Sequence, residues 1–229
     1  MDNLSRPIRL NKFLAERLGI SRREADDLIA EGRVLVDKKP AVLGARIDNS
    51  NEVCYNKKII PFLKEYTYLL LNKPVGYVSS RKRQGETPTL YELLPEKYRT
   101  LKTVGRLDKD SSGLILLTDD GDFSFRMTHP KFYKVKVYLV KLNRSLAPLH
   151  QQEIADFGIK LEDGVSRLGL TRLDDERTEF RVEMSEGRNR QIRRTFAALG
   201  YKVVELNREA FGEFTLGELK PGEFREVKV

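Results

Sequence analysis

Three stretches of this chain carry side chains whose types and spacing could do chemistry. In Val104-Gly-Arg-Leu-Asp-Lys-Asp-Ser-Ser-Gly113 a carboxylate, Asp108, lies two residues after a cation, Arg106. Gly105 ends an apolar lead-in, and Gly113 opens the continuous apolar run Leu114–Leu117. The pattern predicts strand, exposed polar loop, buried strand, then a turn at Asp119-Asp120-Gly121. Loops anchored on a rigid sheet are where chemistry tends to sit. The plainer alternative for Asp108 is a turn former or a solvated charge.

The second stretch, Lys134-Val-Lys-Val-Tyr-Leu-Val-Lys-Leu142, alternates cleanly. Lys134, Lys136, Tyr138 and Val140 share one strand face. Two cations and a tyrosine there suit a cleft that holds a phosphate and a flat ring, or simply a wet sheet face. In the third, Arg188, Arg190, Arg193 and Arg194 crowd the first turns of a helix whose apolar stripe is Ile192, Phe196 and Leu199 and whose stop is Gly200. Cations at a helix start oppose its dipole, so an anion is expected nearby. A basic loop, Arg81-Lys82-Arg83, is read as an RNA phosphate contact in preference to filler.

These stretches need a scaffold. A first strand is expected from Tyr66 to Leu71, turned by Asn72–Tyr77. A short helix over 122–127 ends at Thr128-His129-Pro130, where His129 reads as structural. A helix over 148–157, with His150 lacking an obvious partner, precedes strands 166–173 and 178–184. Gly187 allows a tight turn before the arginine-rich helix, and Asn189 is the expected cap. Ahead of all this, Leu10, Phe13, Leu14 and Leu18 recur at helical spacing up to Gly19. Ser21 and Glu24 read as a capping box for a second helix, striped by Ala25, Leu28 and Ile29 and stopped by Gly32. Short strands follow at 34–36, 40–43, 53–55 and 58–60. Arg9, Lys12, Arg22 and Arg23 lie near the two helix starts, where phosphate groups are favoured. Asp26, Asp27 and Glu31 leave an ordinary solvated face as the alternative.

With 229 residues the chain can hold one large domain or a small and a medium one. Lys and Arg number 42 against 34 acidic residues, a net +8. That favours a polyanionic partner, nucleic acid before anionic membrane. No apolar run approaches the ~20 residues of a membrane span, and no long cationic amphipathic helix supports a membrane-surface role. The start lacks the apolar core of a secretory signal. One cysteine, Cys54, and two histidines exclude an internal disulfide and argue against a metal site. A cytoplasmic, soluble, metal-free chain is expected.

Two resemblances sharpen this. Arg9-Leu-Asn-Lys-Phe-Leu14, Gly19-Ile-Ser-Arg-Arg-Glu-Ala-Asp26 and Ile29-Ala-Glu-Gly-Arg-Val-Leu-Val-Asp37 resemble the alpha-L RNA-binding motif named after ribosomal protein S-four. By position this implies RNA contacts from Arg9, Lys12, Ser21, Arg22 and Arg23. Behind it, in order, come Leu71-Asn-Lys-Pro-Val-Gly-Tyr-Val78, Gly105-Arg-Leu-Asp-Lys-Asp-Ser-Ser-Gly-Leu-Ile-Leu-Leu-Thr118, Lys136-Val-Tyr-Leu-Val140 and Glu186-Gly-Arg-Asn-Arg-Gln-Ile-Arg-Arg194. Together they resemble the RsuA-like family of ribosomal RNA pseudouridine synthases over almost the whole chain. Asp119, Thr195 and Phe211 depart from the usual Asn, Met and Ile.

The resemblance implies an isomerase that needs no cofactor. It implies Asp108 as the catalytic carboxylate, nucleophile or base at the sugar, Arg193 as its partner, and Tyr138 as the ring that stacks on the target and handles the C5 proton. Arg106 fills the gap left by a flipped base, and Lys73, Lys136, Arg188 and Arg190 contact phosphate or substrate. The expectation is therefore an α+β chain: a small RNA-binding domain over 1–62, then a catalytic domain over 63–229 with a mixed, mostly antiparallel sheet and flanking helices. It would act as a monomer on ribosomal RNA or a ribosomal subunit precursor, with overall likeness leaning to the large subunit. The competing expectation is a non-catalytic ribosome- or RNA-binding protein, which would have no need of Asp108, Tyr138 and Arg193 together.

Overall fold

The computed structural model describes residues 7–62 and 65–229. The expected start of the large domain at residue 63, and Lys64 of the expected linker, lie outside the described residues. The chain divides into two compact units, changing over between Tyr66 and Thr67.

The N-terminal unit holds helices Leu10–Leu18 and Arg22–Ala30. The first ends on Gly19 in the left-handed region, at φ 72°. The second starts with the expected capping box: the Ser21 hydroxyl accepts from the Glu24 amide at 3.1 Å, and the Glu24 carboxylate accepts from the Ser21 amide at 2.6 Å. Ser21, expected as an RNA contact, is thus the cap of its helix. Strands Lys39–Pro40, Val34–Val36, Val53–Tyr55 and Lys58–Ile59 form a small antiparallel sheet in that order. Its two hairpins turn through Asp37-Lys38 and Asn56-Lys57, all four with positive φ, the geometry that matches strand twist. Leu10, Phe13, Leu14, Ala25, Ile29, Val34, Ile47 and Val53 make its core.

The second unit is built on a nine-stranded sheet, with a separate two-stranded hairpin beside it, among the described residues. Seven follow one path across the sheet: Gly169–Arg172, Glu179–Met184, Lys136–Leu142, Val203–Phe211, Ser112–Thr118, Tyr68–Lys73 and Phe224–Glu226. Phe214–Thr215 and Lys102–Val104 pair alongside. Neighbours run antiparallel except Val203–Phe211 against Ser112–Thr118, which meet in parallel only at Asn207 with Ser112 and Arg208 with Gly113. Two antiparallel halves are thereby joined by a very short seam.

The sheet is covered on both faces, which explains the unbroken apolar run Leu114–Leu117. Ile115 and Leu117 join the larger core with Leu69, Leu71, Phe180 and Phe196, and Leu114 and Leu116 join a second core with Leu70, Phe123 and Met127.

Three details differ from the sequence reading. The helix expected over 148–157 is α-helical over Pro148–Gln152 and opens into a π turn over Glu153–Phe157. The strand expected over 166–173 is broken: Gly164–Ser166 pairs with Ile159–Leu161, while Gly169–Arg172 joins the main sheet. Buried Leu168 makes the crossing between them. Asn189 is not the cap of helix Gln191–Ala198; Arg190 holds that place, at φ 46° and with no side-chain cap.

At the seam a Cβ on Gly113 would come within 2.4 Å of the Arg208 carbonyl oxygen and 2.5 Å of its amide nitrogen, and φ there is +103°. Gly113→Ala is expected to lower unfolding stability by at least ~3 kcal/mol. Gly76→Ala, with φ +97° but nothing within 4 Å of its Cβ, should lose only the backbone-strain part, ~1 kcal/mol. Urea unfolding of the two variants side by side checks the difference.

Candidate active site

The loop that carries Asp108 is held from both sides. Ser79 brackets Leu107: its hydroxyl donates to the Leu107 carbonyl at 2.8 Å and accepts from the Leu107 amide at 3.1 Å. The Gly76 amide donates to the Lys109 carbonyl at 2.8 Å, and the Ser111 amide to the Asp108 carbonyl at 3.1 Å. Leu107 is buried as a plug beneath the loop. What remains half-exposed at the top is the Asp108 carboxylate.

Cations converge on this loop from helix Gln191–Ala198. Arg190 donates to both carboxylate oxygens of Asp110, at 2.9 and 2.8 Å, and lies 3.5 Å from Asp108. Arg193 donates to the Asp110 carbonyl at 2.7 Å and to the Val203 carbonyl at 2.7 Å, with its Nε 3.3 Å from the Asp110 carboxylate. The hydrogen bonds from Arg190 hold the Asp110 carboxyl below the usual carboxylate range. The sequence reading gives Asp108 to Arg193; in the structure the contact to Asp108 is made by Arg190, and Arg193 clamps Asp110. Arg190 makes these contacts from a left-handed backbone position just ahead of the helix.

Beside the loop opens a cleft of about 730 Å³. Asp108, Arg106, Tyr138, Lys136, Arg188 and Arg190, all singled out in the sequence, line it. Arg106 is exposed at its rim, while Tyr138 is buried in the strand Lys136–Leu142. Lys136 donates to the Glu186 carbonyl at 2.9 Å and lies over the Phe211 ring at 5.2 Å; burial, helped by the nearby Arg208, pushes its ammonium down to about 8.

Two expected RNA contacts turn out to be internal. Lys73 is fully buried at the end of strand Tyr68–Lys73, which lies between Ser112–Thr118 and Phe224–Glu226. Its ammonium donates to the Pro74 and Tyr77 carbonyls at 2.9 Å each. Burial pushes it down to about 8 against the pull of Asp108 and Asp110. Arg188, though at the cleft wall, is committed to the Asp163 carbonyl and carboxylate and the Val165 carbonyl, 2.9 Å each, and to Glu186. It ties the start of its helix to the hairpin Ile159–Ser166. The basic loop is similar: Arg81 donates to the Arg99, Thr100 and Leu101 carbonyls and stacks on Tyr91, and Arg83 pairs with Glu92. His129 accepts from the Lys131 amide at a turn, as expected, and His150 finds Tyr201 at 2.8 Å. Of the N-terminal candidates, Arg9, Arg22 and Arg23 are exposed and Lys12 is half-buried.

The sequence reading missed Arg208, Asp110 and Ser111. Arg208 is 2% exposed and lines the cleft; its Nε donates to the Leu114 carbonyl at 2.7 Å, while its Nη2 is buried with no hydrogen-bond partner. The Ser111 hydroxyl, also at the cleft, is likewise buried without a partner. Buried polar groups are normally satisfied, so these two stand out at the wall of the cleft. The signal for Arg208 was present: it shares a strand face with buried Leu206, a charge at a core-facing place in a period of two. Among the described residues no cluster of three or more His, Cys, Asp or Glu could hold a metal ion, and no helix is long and apolar enough to cross a membrane.

The buried lysine gives a pH test. Lys73 takes its proton at about pH 8 folded and near 10.5 unfolded, so the unfolded chain binds more protons between those values and wild-type stability rises with pH there. Relative to Lys73→Met, the wild type should gain up to ~3 kcal/mol from pH 8 to 10.5 and show a flat difference below 8. Urea titrations of both proteins across that range check it.

Known proteins resemble this chain in sequence and fold. The profile of the S4 domain matches residues 8–59, and that of the RNA pseudouridylate synthase family matches residues 67–198. A ribosomal small subunit pseudouridine synthase A from Yersinia pestis is 38% identical over 96% of this chain and 94% of its own length. A ribosomal large subunit pseudouridine synthase B from Bacillus subtilis (strain 168) is 34% identical over 96% and 91%. A pseudouridylate synthase crystal structure superposes over 96% of both chains with a TM-score of 0.68 at 34% identity. With the loop carboxylate, the cleft and these matches in agreement, the chain belongs to the RNA pseudouridylate synthase family and carries an S4 domain ahead of its synthase domain.

Proposed function

We propose that this chain isomerises one uridine of ribosomal RNA to pseudouridine, with Asp108 as the catalytic carboxylate. One observation carries the reading: a half-exposed carboxylate on a clamped loop stands in a cation-lined cleft with Tyr138, in a chain of the synthase family. The reaction breaks the N1–C1′ bond, turns the base, and joins C5 to C1′. C5 gives up a proton and N1 gains one, so no oxidant, reductant or cofactor is required. A stacked uridine cannot present C1′ to a side chain, so the nucleotide is flipped into the cleft. Asp108 then acts at the sugar, as nucleophile or as general base, Tyr138 stacks on the uracil and takes or relays the C5 proton, and exposed Arg106 fills the space left in the RNA. Arg190 and Arg193 hold the loop through Asp110. The free Nη2 of Arg208 meets an acceptor on the bound nucleotide, and Lys136 its phosphate.

In this reading the domain boundary falls between residues 62 and 63, and the N-terminal unit grips structured RNA through Arg9, Lys12, Arg22 and Arg23. The protein works as a monomer in the cytoplasm on ribosomal RNA or a subunit precursor. Likeness to the small-subunit relative, at 38% against 34% for the large-subunit one, puts small-subunit RNA first, against the lean of the sequence reading.

Carbodiimide mapping of both ribosomal RNAs after incubation with wild type and with Asp108→Asn tests this. A single new stop with wild type, absent with the variant while RNA binding survives, is expected; the fold should tolerate the change because Arg190 keeps its bidentate bond to Asp110. Turnover by pure Asp108→Asn removes Asp108 from the chemistry, and no stop on naked RNA or assembly intermediates favours the binding-protein alternative. Deleting residues 1–62 should weaken RNA binding and flatten its salt dependence, by about 0.7–0.9 in log–log slope for each phosphate no longer neutralised. An unchanged slope places the main phosphate contacts in the large domain.

A further inference from the structure

We propose that the exposed aromatic segment from Phe125 to Tyr133 is a stacking platform for single-stranded nucleotides flanking the target uridine. The proposal rests on the RNA-substrate reading above and extends the substrate beyond the flipped nucleotide.

Helix Gly121–Thr128 buries Phe123 and Met127 and turns Phe125 outward, 44% exposed. The following turn, Pro130–Phe132, leaves Phe132 37% and Tyr133 75% exposed, with Tyr133 in the left-handed region at φ 49°. Phe125 packs on His129 at 4.7 Å and edge-on to Phe132 at 5.8 Å. The rings of Phe125, His129 and Phe132 gather on the surface in contact with one another, outside the cores beneath, with the exposed Tyr133 next in sequence. An aromatic cluster left in water generally marks a contact site.

The chemistry around the rings selects the occupant. The Lys131 ammonium lies 5.0 Å from the Phe125 ring centre and 4.8 Å from that of Phe132, and Arg126 is exposed beside them. An apolar protein surface laid over this patch would bury that ammonium without a counter-charge. A nucleotide strand gives the rings flat bases and gives Lys131 and Arg126 phosphates, the combination that single-strand readers use. Position agrees as well. Thr128 and Pro130, inside the same segment, line the catalytic cleft, and the Thr128 methyl is 3.6 Å from where a Cβ on Gly105 would stand. Gly105 immediately precedes Arg106 at the cleft rim, so a strand leaving the cleft past Arg106 meets the aromatic segment next.

The test compares two double variants with wild type on transcripts of the two ribosomal RNAs and on short single-stranded-flanked fragments of them. Phe125→Leu with Phe132→Leu keeps the surface apolar but removes the rings; Phe125→Tyr with Phe132→Tyr keeps the rings. Tritium release from C5-labelled RNA gives kcat and KM, and filter binding gives Kd on the same RNA. The Leu pair should raise KM and Kd about tenfold, in line with base–aromatic stacking, and the Tyr pair should restore most of the loss. Trimming the flanking single-stranded nucleotides from the RNA should reproduce the loss in wild type and leave the Leu pair with no further deficit. Unchanged KM and Kd in the Leu pair overturn the platform, as does an equal loss in the Leu pair on trimmed and full RNA. Circular dichroism and urea unfolding exclude a folding defect. If wild type releases no tritium yet the Leu pair still binds RNA tenfold more weakly, the enzymatic reading fails and the platform stands.

Discussion

The large unit depends on the contact of one backbone with another at Gly113 and Arg208. Two antiparallel half-sheets meet in parallel there through a pair of residues on each strand, and the approach is so close that a Cβ has no room. The loop with Asp108 runs directly into one strand of this seam. The strand with Lys136 and Tyr138 pairs with the other. The seam thus sets the distance across the cleft between the carboxylate and the ring. It also buries Arg208 at the cleft wall, where a parallel neighbour accepts from its Nε through the Leu114 carbonyl.

A division of labour between two carboxylates follows. Asp110 takes the bidentate bond of Arg190, and its backbone carbonyl takes Arg193. Asp108 receives only a 3.5 Å approach from Arg190 and stays half-exposed. A carboxylate tied by several close hydrogen bonds is stabilised but loses lone pairs it would need for a substrate. Here the tight bonds fix the loop through Asp110, and the cations still face Asp108. Lys73 adds a buried positive charge beneath both.

Much of this was legible in the sequence. The apolar run after Gly113, the capping box at Ser21 and Glu24 and the polar loop with Asp108 follow from local pattern, whereas the alternation around Lys136 and Tyr138 fits a wet sheet face as well, and only the family resemblance turns it toward a cleft. The failures have a common cause, since sequence shows charge but not what the charge is bonded to. Lys73, Arg188, Arg81 and Arg83 read as surface cations, yet protein carbonyls and carboxylates take their hydrogens, from Pro74 and Tyr77 close by for Lys73 to Asp163 and Val165 far along the chain for Arg188. Asn189 looked like a helix cap because local preference favours it, whereas the cap place falls to Arg190, whose side chain is bonded to Asp110. Arg208 escaped notice because a lone charge inside an alternating strand is easily read as a solvent-facing residue.

Residues 107 and 113 are both pinned, the first by Ser79 and the second by Arg208. The chain between them, 108–112, therefore works as a ruler of fixed length. One residue more or less would either drag Asp108 from the cleft or slip the following strand by a step, and a slip exchanges the faces of Leu114, Ile115, Leu116 and Leu117 between two cores of different shape. Substitution within this span is open only where a side chain neither serves the cleft, as Asp108 does, nor anchors the loop, as Asp110 does. Insertion and deletion are closed, so related sequences should vary in letters here and never in length.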